Sequence, residues 1–328
     1  MILHIKKNAP LQLLLDFYKA AYFEAEETYV LITSSSVKEI ETSHKEYVDY
    51  NKTFESDIQL ASKDYITKRS IQIGDILIGG QSNNTLMITG PCSVESMEQI
   101  ETSAQFLIKN NIKILRAGCF KPRTSPYTFQ GLGSKGLDML VEMREKYGLK
   151  IITEAKDATH IDEVIEKSDI IQIGAKAMYD HGILKACSKT QKPVLIKRGF
   201  GSTLQEFVQS AEFVLSGGNP NVMLCERGIR TFENKTRFTL DLCGVSYLKE
   251  YTNLPIILDP SHAMGYRYGV ADLARACVAM GIDGLLIESH PNPKVAQSDA
   301  SQQLDFEQFV ALQKSLIPVA EAVGMQMI

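Results

Sequence analysis

The chain has 328 residues, of which 44% are hydrophobic and 23% charged, and its formal net charge is −4. This length can hold one large domain of roughly 250 residues together with a small module. Proteins that bind the phosphate backbone of nucleic acids usually carry a basic surplus, so the acidic balance argues against that class. The sequence shows neither a signal peptide nor an apolar run of about 18 residues that could span a membrane. We therefore predict a cytoplasmic protein with no nucleic-acid or membrane partner.

Residues 1–70 differ in composition from the rest of the chain and are predicted to form a separate small module. The segments 2–7 and 28–35 have the β-rich pattern of strands, and residues 11–27 have a helical pattern. The stretch 33–64 is rich in Ser, Glu, Lys and Tyr. We therefore expect a small α+β unit at the N-terminus.

From about residue 85 onward, β-rich segments alternate with helical patterns, as parallel βαβ construction requires. Their continuous Ile, Leu and Val content is typical of strands covered on both faces. Eight strands are predicted, at residues 85–90, 112–118, 149–155, 169–175, 192–199, 221–228, 254–260 and 284–289. The preceding segment 65–82 is predicted to be a hairpin that closes the bottom of a barrel. Because the glycine fingerprint of a doubly wound sheet is absent after every strand, we predict a (β/α)8 TIM barrel over residues 71–328.

Basic residues are concentrated at the predicted C-terminal ends of the strands, where barrel enzymes carry their functional groups. These residues are Arg116, Lys121, Arg123, Lys176, Lys197 and Arg227. A single Arg or Lys is usually a solvated surface charge, but six at one mouth repel one another and require anionic compensation. Guanidinium groups match phosphate and carboxylate oxygens, and Lys supplies a compact charge. The pattern therefore predicts bound phosphates. The strand ends also carry Glu154, Arg198, Glu226 and Asp259.

A second group at the strand ends has the chemistry of metal ligands. It comprises Cys92, His262, Glu288 and Asp299. A lone Cys is usually a buried apolar residue and a lone His is usually structural, but their coincidence at the ends of strands 1, 7 and 8 favours a metal site. A thiolate, an imidazole and two carboxylates accept Mn, Fe, Co or Zn, so the identity of the divalent metal stays open.

Several long motifs resemble DAHP synthase, and its type Iβ branch in particular. They read GPCSVE, LRAGCFKPRTSPYTFQGLG, IQIGA, PVLIKRGF, LCERGIRTFE, DPSH and SDASQQLDF, and the resemblance covers roughly residues 70–326. It implies condensation of phosphoenolpyruvate with erythrose 4-phosphate and water to give DAHP and phosphate, the first step of the shikimate pathway to aromatic amino acids.

The resemblance also implies roles for individual residues. It assigns Cys92, His262, Glu288 and Asp299 to the metal. It assigns Arg116, Lys121, Lys176, Lys197 and Arg227 to phosphoenolpyruvate, with Glu154 nearby. In the KPRT motif, Arg123 and Thr124 are expected to bind the aldose phosphate, and Pro122 belongs to the same substrate-binding segment. Lys121, Cys92 and His262 are the expected catalytic residues, with Lys121 protonating the developing alkoxide.

Three alternatives and departures stay open. Related octulosonate 8-phosphate synthases use arabinose 5-phosphate, but they carry a KANRSS-like segment where this chain has KPRTSP. Lys176 stands where the family usually has Arg, which keeps the charge but loses the bidentate fork. A non-catalytic barrel that serves as a regulatory partner, for instance of a chorismate mutase, is the third possibility.

The N-terminal module resembles the small ferredoxin-like regulatory domain of some relatives only in length and in the order of its elements. It predicts either feedback inhibition by tyrosine or phenylalanine, or an extension that is structural or forms oligomers. The family resemblance further suggests a homotetramer.

Overall fold

The computed structural model describes residues 1–121 and 125–328, and it begins with a small sheet. The elements of this part are β1 (Ile2–Lys6), α1 (Leu11–Tyr18), β2 (Ala21–Glu24), β3 (Thr28–Ile32), a 3-10 helix (Thr42–Tyr47) and β4 (Val48–Lys52). The strands pair antiparallel in the order β2-β3-β1-β4. This is the order of a ferredoxin-like β-α-β-β-α-β sheet in which a 3-10 helix replaces the second α-helix.

The helix predicted over residues 11–27 is wrong in its second half. Helix α1 ends at Tyr18, and Lys19 adopts a left-handed conformation with φ 48°. Residues Ala21–Glu24 pair with β3 instead. Sequence composition favoured a continuous helix, but the backbone hydrogen bonds and side-chain packing offered by β3 outweigh that preference.

The segment 65–82 contains the predicted hairpin, formed by β5 (Ser70–Ile73) and β6 (Ile76–Gly79). Its four isoleucines, Ile71, Ile73, Ile76 and Ile78, are at most 3% exposed. They pack in one cluster with residues from inside the barrel, among them Leu86 and Ile114. The prediction that this hairpin closes the bottom of the barrel is therefore confirmed.

The eight predicted barrel strands are all present. They are β7 (Asn84–Gly90), β8 (Ile114–Arg116), β9 (Lys150–Ala155), β10 (Ile170–Ile173), β11 (Val194–Lys197), β12 (Val222–Glu226), β13 (Ile256–Leu258) and β14 (Gly284–Glu288). Each pairs in parallel with the next, and β14 pairs with β7, which closes the barrel. A short strand, β15 (Gln326–Met327), adds to β7. The fold is the predicted (β/α)8 barrel.

Helices connect the strands around the outside of the barrel. They are α2 (Met97–Lys109), α3 (Ser134–Tyr147), α4 (Ile161–Lys167), α5 (His181–Ser188), α6 (Leu204–Ser216), α7 (Leu242–Tyr251), α8 (Pro260–Met264), α9 (Arg267–Ala279) and α10 (Phe306–Ala322), with a 3-10 helix at Pro293–Val295. Among the described residues, none of these helices combines the length and apolar character needed to cross a bilayer.

A partly buried carboxylate joins the N-terminal part to the barrel. Glu212 of α6 accepts backbone N–H groups from Gln59 at 2.7 Å, Leu60 at 3.2 Å and Ala61 at 2.7 Å. Asn253 also donates its side-chain amide to the carbonyl of Leu60 at 2.9 Å. These contacts fix the connecting segment against the barrel wall.

Candidate active site

Three of the four predicted metal ligands meet at the mouth of the barrel. Cys92 follows β7, Glu288 ends β14, and Asp299 lies in the turn that follows. Within the described part of the chain, one ligand atom from each lies within 4.8 Å of the other two. Cys92 Sγ is 3.3 Å from Asp299 Oδ2. The closure of the barrel between its first and last strands brings these residues together.

His262, the fourth predicted ligand, lies beside this group. Its ring contacts Asp259, whose Oδ2 lies 2.7 Å from His262 Nδ1 and whose Oδ1 accepts the backbone N–H of His262 at 3.0 Å. The other ring nitrogen, Nε2, is 3.5 Å from Glu288 Oε1. A carboxylate behind one nitrogen commonly orients a histidine for metal binding through the other.

The electrostatics of the cluster suit a cation. Burial, followed by the charge of Glu288, raises the pKa of the Cys92 thiol to about 12 in the absence of a metal. Burial also lowers the pKa of His262, which favours the neutral imidazole that can ligate. A divalent ion would stabilise the thiolate and offset the repulsion between Glu288 and Asp299. This mixed donor set therefore fits a divalent transition metal.

Lys121 connects the cluster to a cavity. Its Nζ atom lies 3.0 Å from Cys92 Sγ and 3.0 Å from the carbonyl oxygen of Cys92. Burial alone would lower the pKa of Lys121, but Cys92 and Glu154 raise it, and the net pKa lies above the usual value. Lys121 is thus a buried ammonium group at the border between the two parts of the site.

The cavity beside the cluster has a volume of about 280 Å³ and a basic lining. Its lining residues are Lys121, Glu154, Ala175, Lys176, Lys197, Phe200, Arg227, Arg237, Phe238, His262 and Asp299. Four of the six basic residues predicted at the mouth are among them. Their convergence gives the cavity the positive charge that anion binding requires.

Arg227 is the most informative of these cations. It is only 4% exposed, and in the described ranges no carboxylate lies within 4.0 Å of its guanidinium nitrogens. Its guanidinium carbon lies 4.3 Å from the ring centroid of Phe238. Burial lowers its pKa. The charges of Asp259 and Glu226 oppose this shift only from a distance. A buried charge without a counter-ion in direct contact is costly, and a bound anion in the cavity would supply that contact.

The other predicted substrate-binding residues occupy different positions. Arg116 is buried outside the cavity lining and donates to Glu288 Oε1 at 2.6 Å. Lys197 donates to Asp259 Oδ2 at 2.7 Å. Glu154 accepts from Gln172 at 2.8 Å, and Lys176 is exposed at the rim. The predicted contacts at Pro122, Arg123 and Thr124 lie outside the described residues.

Arg198 does not belong with the basic residues of the mouth. It donates to Glu226 Oε2 at 2.9 Å and to Asp241 Oδ2 at 2.8 Å. Because side chains alternate along a strand, Arg198 and Glu226 face away from the interior that Leu195 and Cys225 line. This pair therefore holds the barrel wall together.

Several residues of the site were not predicted from the sequence. Phe200, Arg237 and Phe238 line the cavity from loops beyond the strand ends. Gln302 donates to Glu288 Oε2 at 2.6 Å, and Gln303 accepts from the backbone N–H of Cys92 at 2.9 Å. The only signal in the sequence was that both glutamines fall within the SDASQQLDF motif.

Together, the closed barrel, the Cys–His–Glu–Asp cluster and the basic cavity are the features expected of a barrel enzyme that uses a divalent metal and acts on anionic substrates. The model of the DAHP synthetase I family matches residues 57–324. The chain belongs to this family.

Two kinds of curated relative are similar to the chain. A phospho-2-dehydro-3-deoxyheptonate aldolase from Thermotoga maritima is 46% identical over 256 residues, which cover 78% of this chain and 75% of the relative. A 2-dehydro-3-deoxyphosphooctonate aldolase from Bradyrhizobium sp. (strain ORS 278) is 30% identical over 265 residues, which cover 75% of this chain and 91% of the relative. The octulosonate enzymes are therefore the more distant relatives.

Solved structures agree with this placement. A crystal structure of the DAHP synthase from Thermotoga maritima matches with a TM-score of 0.81 and 38% identity, covering 100% of this chain and 99% of that one. A truncated form of 3-deoxy-D-arabino-heptulosonate 7-phosphate synthase from Thermotoga maritima matches with a TM-score of 0.76 and 41% identity. This match covers 82% of this chain and 98% of that one. The first match includes the N-terminal sheet as well as the barrel.

Proposed function

We propose that this chain is a DAHP synthase, which condenses phosphoenolpyruvate with erythrose 4-phosphate and water to give DAHP and phosphate. This reaction opens the shikimate pathway to the aromatic amino acids. Membership of the DAHP synthetase I family supports the assignment. The single observation that carries it is the buried Arg227, which has no carboxylate within 4.0 Å among the described residues, in a basic cavity beside the Cys92 cluster.

The metal would be held by Cys92, His262, Glu288 and Asp299, and the family is generally metal-dependent. When bound, a divalent ion supplies a Lewis acid for the aldehyde oxygen of the sugar. Mn, Fe, Co and Zn all suit these four ligands, so we do not assign one. Asp259 keeps His262 in the orientation that this role requires.

Phosphoenolpyruvate would bind against the basic lining of the cavity. Arg227 and Lys197 supply buried positive charge, Lys176 adds charge at the rim, and Glu154 lines the same cavity. Arg116 would act at the inner boundary, next to Glu288. These cations offset the repulsion between two phosphorylated substrates and fix them side by side, which is mainly an orientation effect.

Lys121 is the proposed proton donor. In the reaction, C3 of phosphoenolpyruvate forms a bond to the aldehyde carbon, water adds at C2, and phosphate leaves with the C2–O bond electrons. The aldehyde oxygen becomes an alkoxide that needs a proton. Lys121 Nζ carries one, because its raised pKa keeps it as an ammonium between the cluster and the cavity.

The second candidate substrate is arabinose 5-phosphate, supported by the 30% identity to octulosonate aldolases. The KPRTSP motif favours the four-carbon sugar instead. The test is to measure phosphoenolpyruvate consumption and phosphate release with each sugar in turn. Turnover with erythrose 4-phosphate is expected, and preference for arabinose 5-phosphate would overturn this part of the proposal.

The first 70 residues form the proposed regulatory module, with an aromatic amino acid as effector and the barrel over residues 71–328 as the catalytic domain. The ferredoxin-like strand order supports this division. A structural or oligomer-forming extension is the alternative, and a homotetramer and a cytoplasmic location stay predictions. If the rate is unchanged at saturating tyrosine and at saturating phenylalanine, neither amino acid is the effector.

A further inference from the structure

Gln302 ties a proposed metal ligand to a cation of the cavity. Its side chain is 1% exposed, and its Nε2 donates to Glu288 Oε2 at 2.6 Å. Its Oε1 accepts from Arg237 Nη1 at 2.8 Å. A carboxylate only accepts and a guanidinium only donates, so these two partners allow a single orientation of the amide. Since Arg116 holds the other oxygen of Glu288 at 2.6 Å, both oxygens of this carboxylate are fixed.

Gln303 performs the corresponding task for Cys92. It is fully buried, its Oε1 accepts the backbone N–H of Cys92 at 2.9 Å, and its Nε2 donates to the carbonyl of Ser298 at 2.8 Å. Ser298 precedes Asp299, which has a left-handed backbone with φ 45°. One turn thus supplies Asp299 and also holds the backbone of Cys92 and the side chain of Glu288.

The same turn is joined to the end of β14. The backbone N–H of Leu304 donates to the carbonyl of Glu288 at 2.9 Å, and the carbonyl of Leu304 accepts the backbone N–H of His290 at 2.9 Å. The two glutamines therefore stand on a segment whose own position relative to Glu288 is fixed. Their side chains need no further adjustment to hold the ligands.

We propose that Gln302 and Gln303 are positioning residues of the metal centre, which set the orientation of Glu288 and the position of Cys92 before the metal binds. The inference rests on the proposed metal-binding role of Cys92, Glu288 and Asp299. Removing a partner that orients a metal ligand typically weakens metal affinity by about 10-fold to 100-fold. The same loss is expected when methionine, which cannot donate to Glu288, replaces Gln302.

The test measures Co²⁺ affinity on the full chain, by chelator competition and by the absorbance of the metal–thiolate band. The variants are Gln302→Met, Gln303→Met and the milder Gln302→Asn, which keeps a polar amide but is too short to reach both partners. Gln313→Met is the matched control, because Gln313 lies on the outer helix α10 and donates to Asn110 at 3.3 Å. Circular dichroism and the Tm of the metal-free protein report on folding separately.

The expected result is a Co²⁺ dissociation constant raised by about 10-fold to 100-fold in the site variants and unchanged in Gln313→Met. If Gln302→Met does not fold, the Co²⁺ dissociation constant of Gln302→Asn tests the role of Gln302 instead. Wild-type affinity in a folded site variant, with or without a lower Tm, would overturn the positioning role alone. Failure of the wild-type chain to bind Co²⁺ would refute the metal centre on which this inference rests, while turnover of phosphoenolpyruvate with erythrose 4-phosphate tests the proposed function separately.

Discussion

Lys121 Nζ contacts both the Sγ atom and the carbonyl oxygen of Cys92, each at 3.0 Å. A proposed proton donor is therefore in contact with a proposed metal ligand. The thiol would lose its proton on binding a metal, and the ammonium would then lie beside a metal-bound thiolate. This contact places Lys121 between the proposed metal site and the basic cavity.

Replacing Lys121 with methionine is expected to lower kcat by about 10²-fold to 10⁴-fold, which is the usual contribution of a positioned acid or base. Methionine has a similar length but carries no proton to donate. Steady-state kinetics would measure the effect, and retained Co²⁺ binding would show that the metal centre persists. A kcat within a few-fold of the wild-type value would remove Lys121 from the proton-donor role.

Added divalent metal is expected to raise the Tm of the metal-free protein, because a ligand that binds only the folded state stabilises it. At a free concentration 100 times Kd, the stabilisation is about 2.7 kcal/mol. Cys92→Ala should lose most of this shift in thermal unfolding. Cys243→Ala is the control, since Cys243 is exposed on α7. This variant should keep the metal-induced rise in Tm. Equal shifts in both variants would contradict the assignment of Cys92.

Arg227→Met is expected to weaken substrate binding without destabilising the protein. The KM for phosphoenolpyruvate should rise by about 10-fold to 100-fold, since charged hydrogen bonds contribute roughly 1.5–3 kcal/mol. Stability should be unchanged or higher, because a buried charge without a carboxylate partner is removed. Urea unfolding and steady-state kinetics would test both parts.

Arg198→Met is the matched comparison. Arg198 is equally buried but pairs with Glu226 and Asp241, so its loss leaves the buried Glu226 and the partly buried Asp241 without their cationic partner. Breaking such a pair typically costs about 3–5 kcal/mol. If Arg227→Met destabilises the protein as much as Arg198→Met, then Arg227 has a structural partner and the argument from its missing counter-ion is wrong.

Glu212 provides a prediction about pH. Burial raises the pKa of this carboxyl to about 7, although three backbone N–H groups oppose the shift. Between pH 4.5 and about 7 the folded state therefore binds more protons at this group than the unfolded state, so its contribution to stability falls as the pH rises.

Glu212→Gln has no such titration, so the wild-type free energy of unfolding should fall relative to this variant as the pH rises from 4.5 to 7. The free energy of unfolding should change by at most about 1.4 kcal/mol per pH unit relative to the variant. Above about pH 7, the difference between the two proteins should become constant. Urea unfolding of both proteins over this pH range would measure it. Parallel pH profiles would show that the pKa of Glu212 is the same in the folded and unfolded states, so that the three backbone contacts cancel the effect of burial.

The barrel could be predicted from the sequence because its signal repeats. Eight apolar segments alternate with helical patterns, and the barrel rule then places their C-terminal ends at one mouth. The N-terminal sheet was less predictable, because β2 depends on pairing with β3 and has no strong local pattern of its own. The proposed metal ligands could be selected from the sequence because Cys, His and Glu stand together at strand ends of the predicted barrel.

The alternation of side chains along β11 could have shown from the sequence that Lys197 and Arg198 lie on opposite faces of the barrel wall. Lys197 follows the inward-facing Leu195 by two residues, and Arg227 follows Cys225 in the same way. Arg198 therefore had to face outward. By contrast, Arg237 and Gln302 depend on how two loops meet, and no local pattern encodes that contact.

The most direct measurement is phosphoenolpyruvate consumption by the purified full chain with erythrose 4-phosphate, before and after EDTA treatment and again after Mn²⁺ is restored. Turnover that disappears with EDTA and returns with Mn²⁺ is the predicted result. Undiminished turnover in metal-stripped protein would contradict the role of the Cys92, His262, Glu288 and Asp299 cluster, and no turnover with erythrose 4-phosphate under any of these conditions would contradict the proposed function.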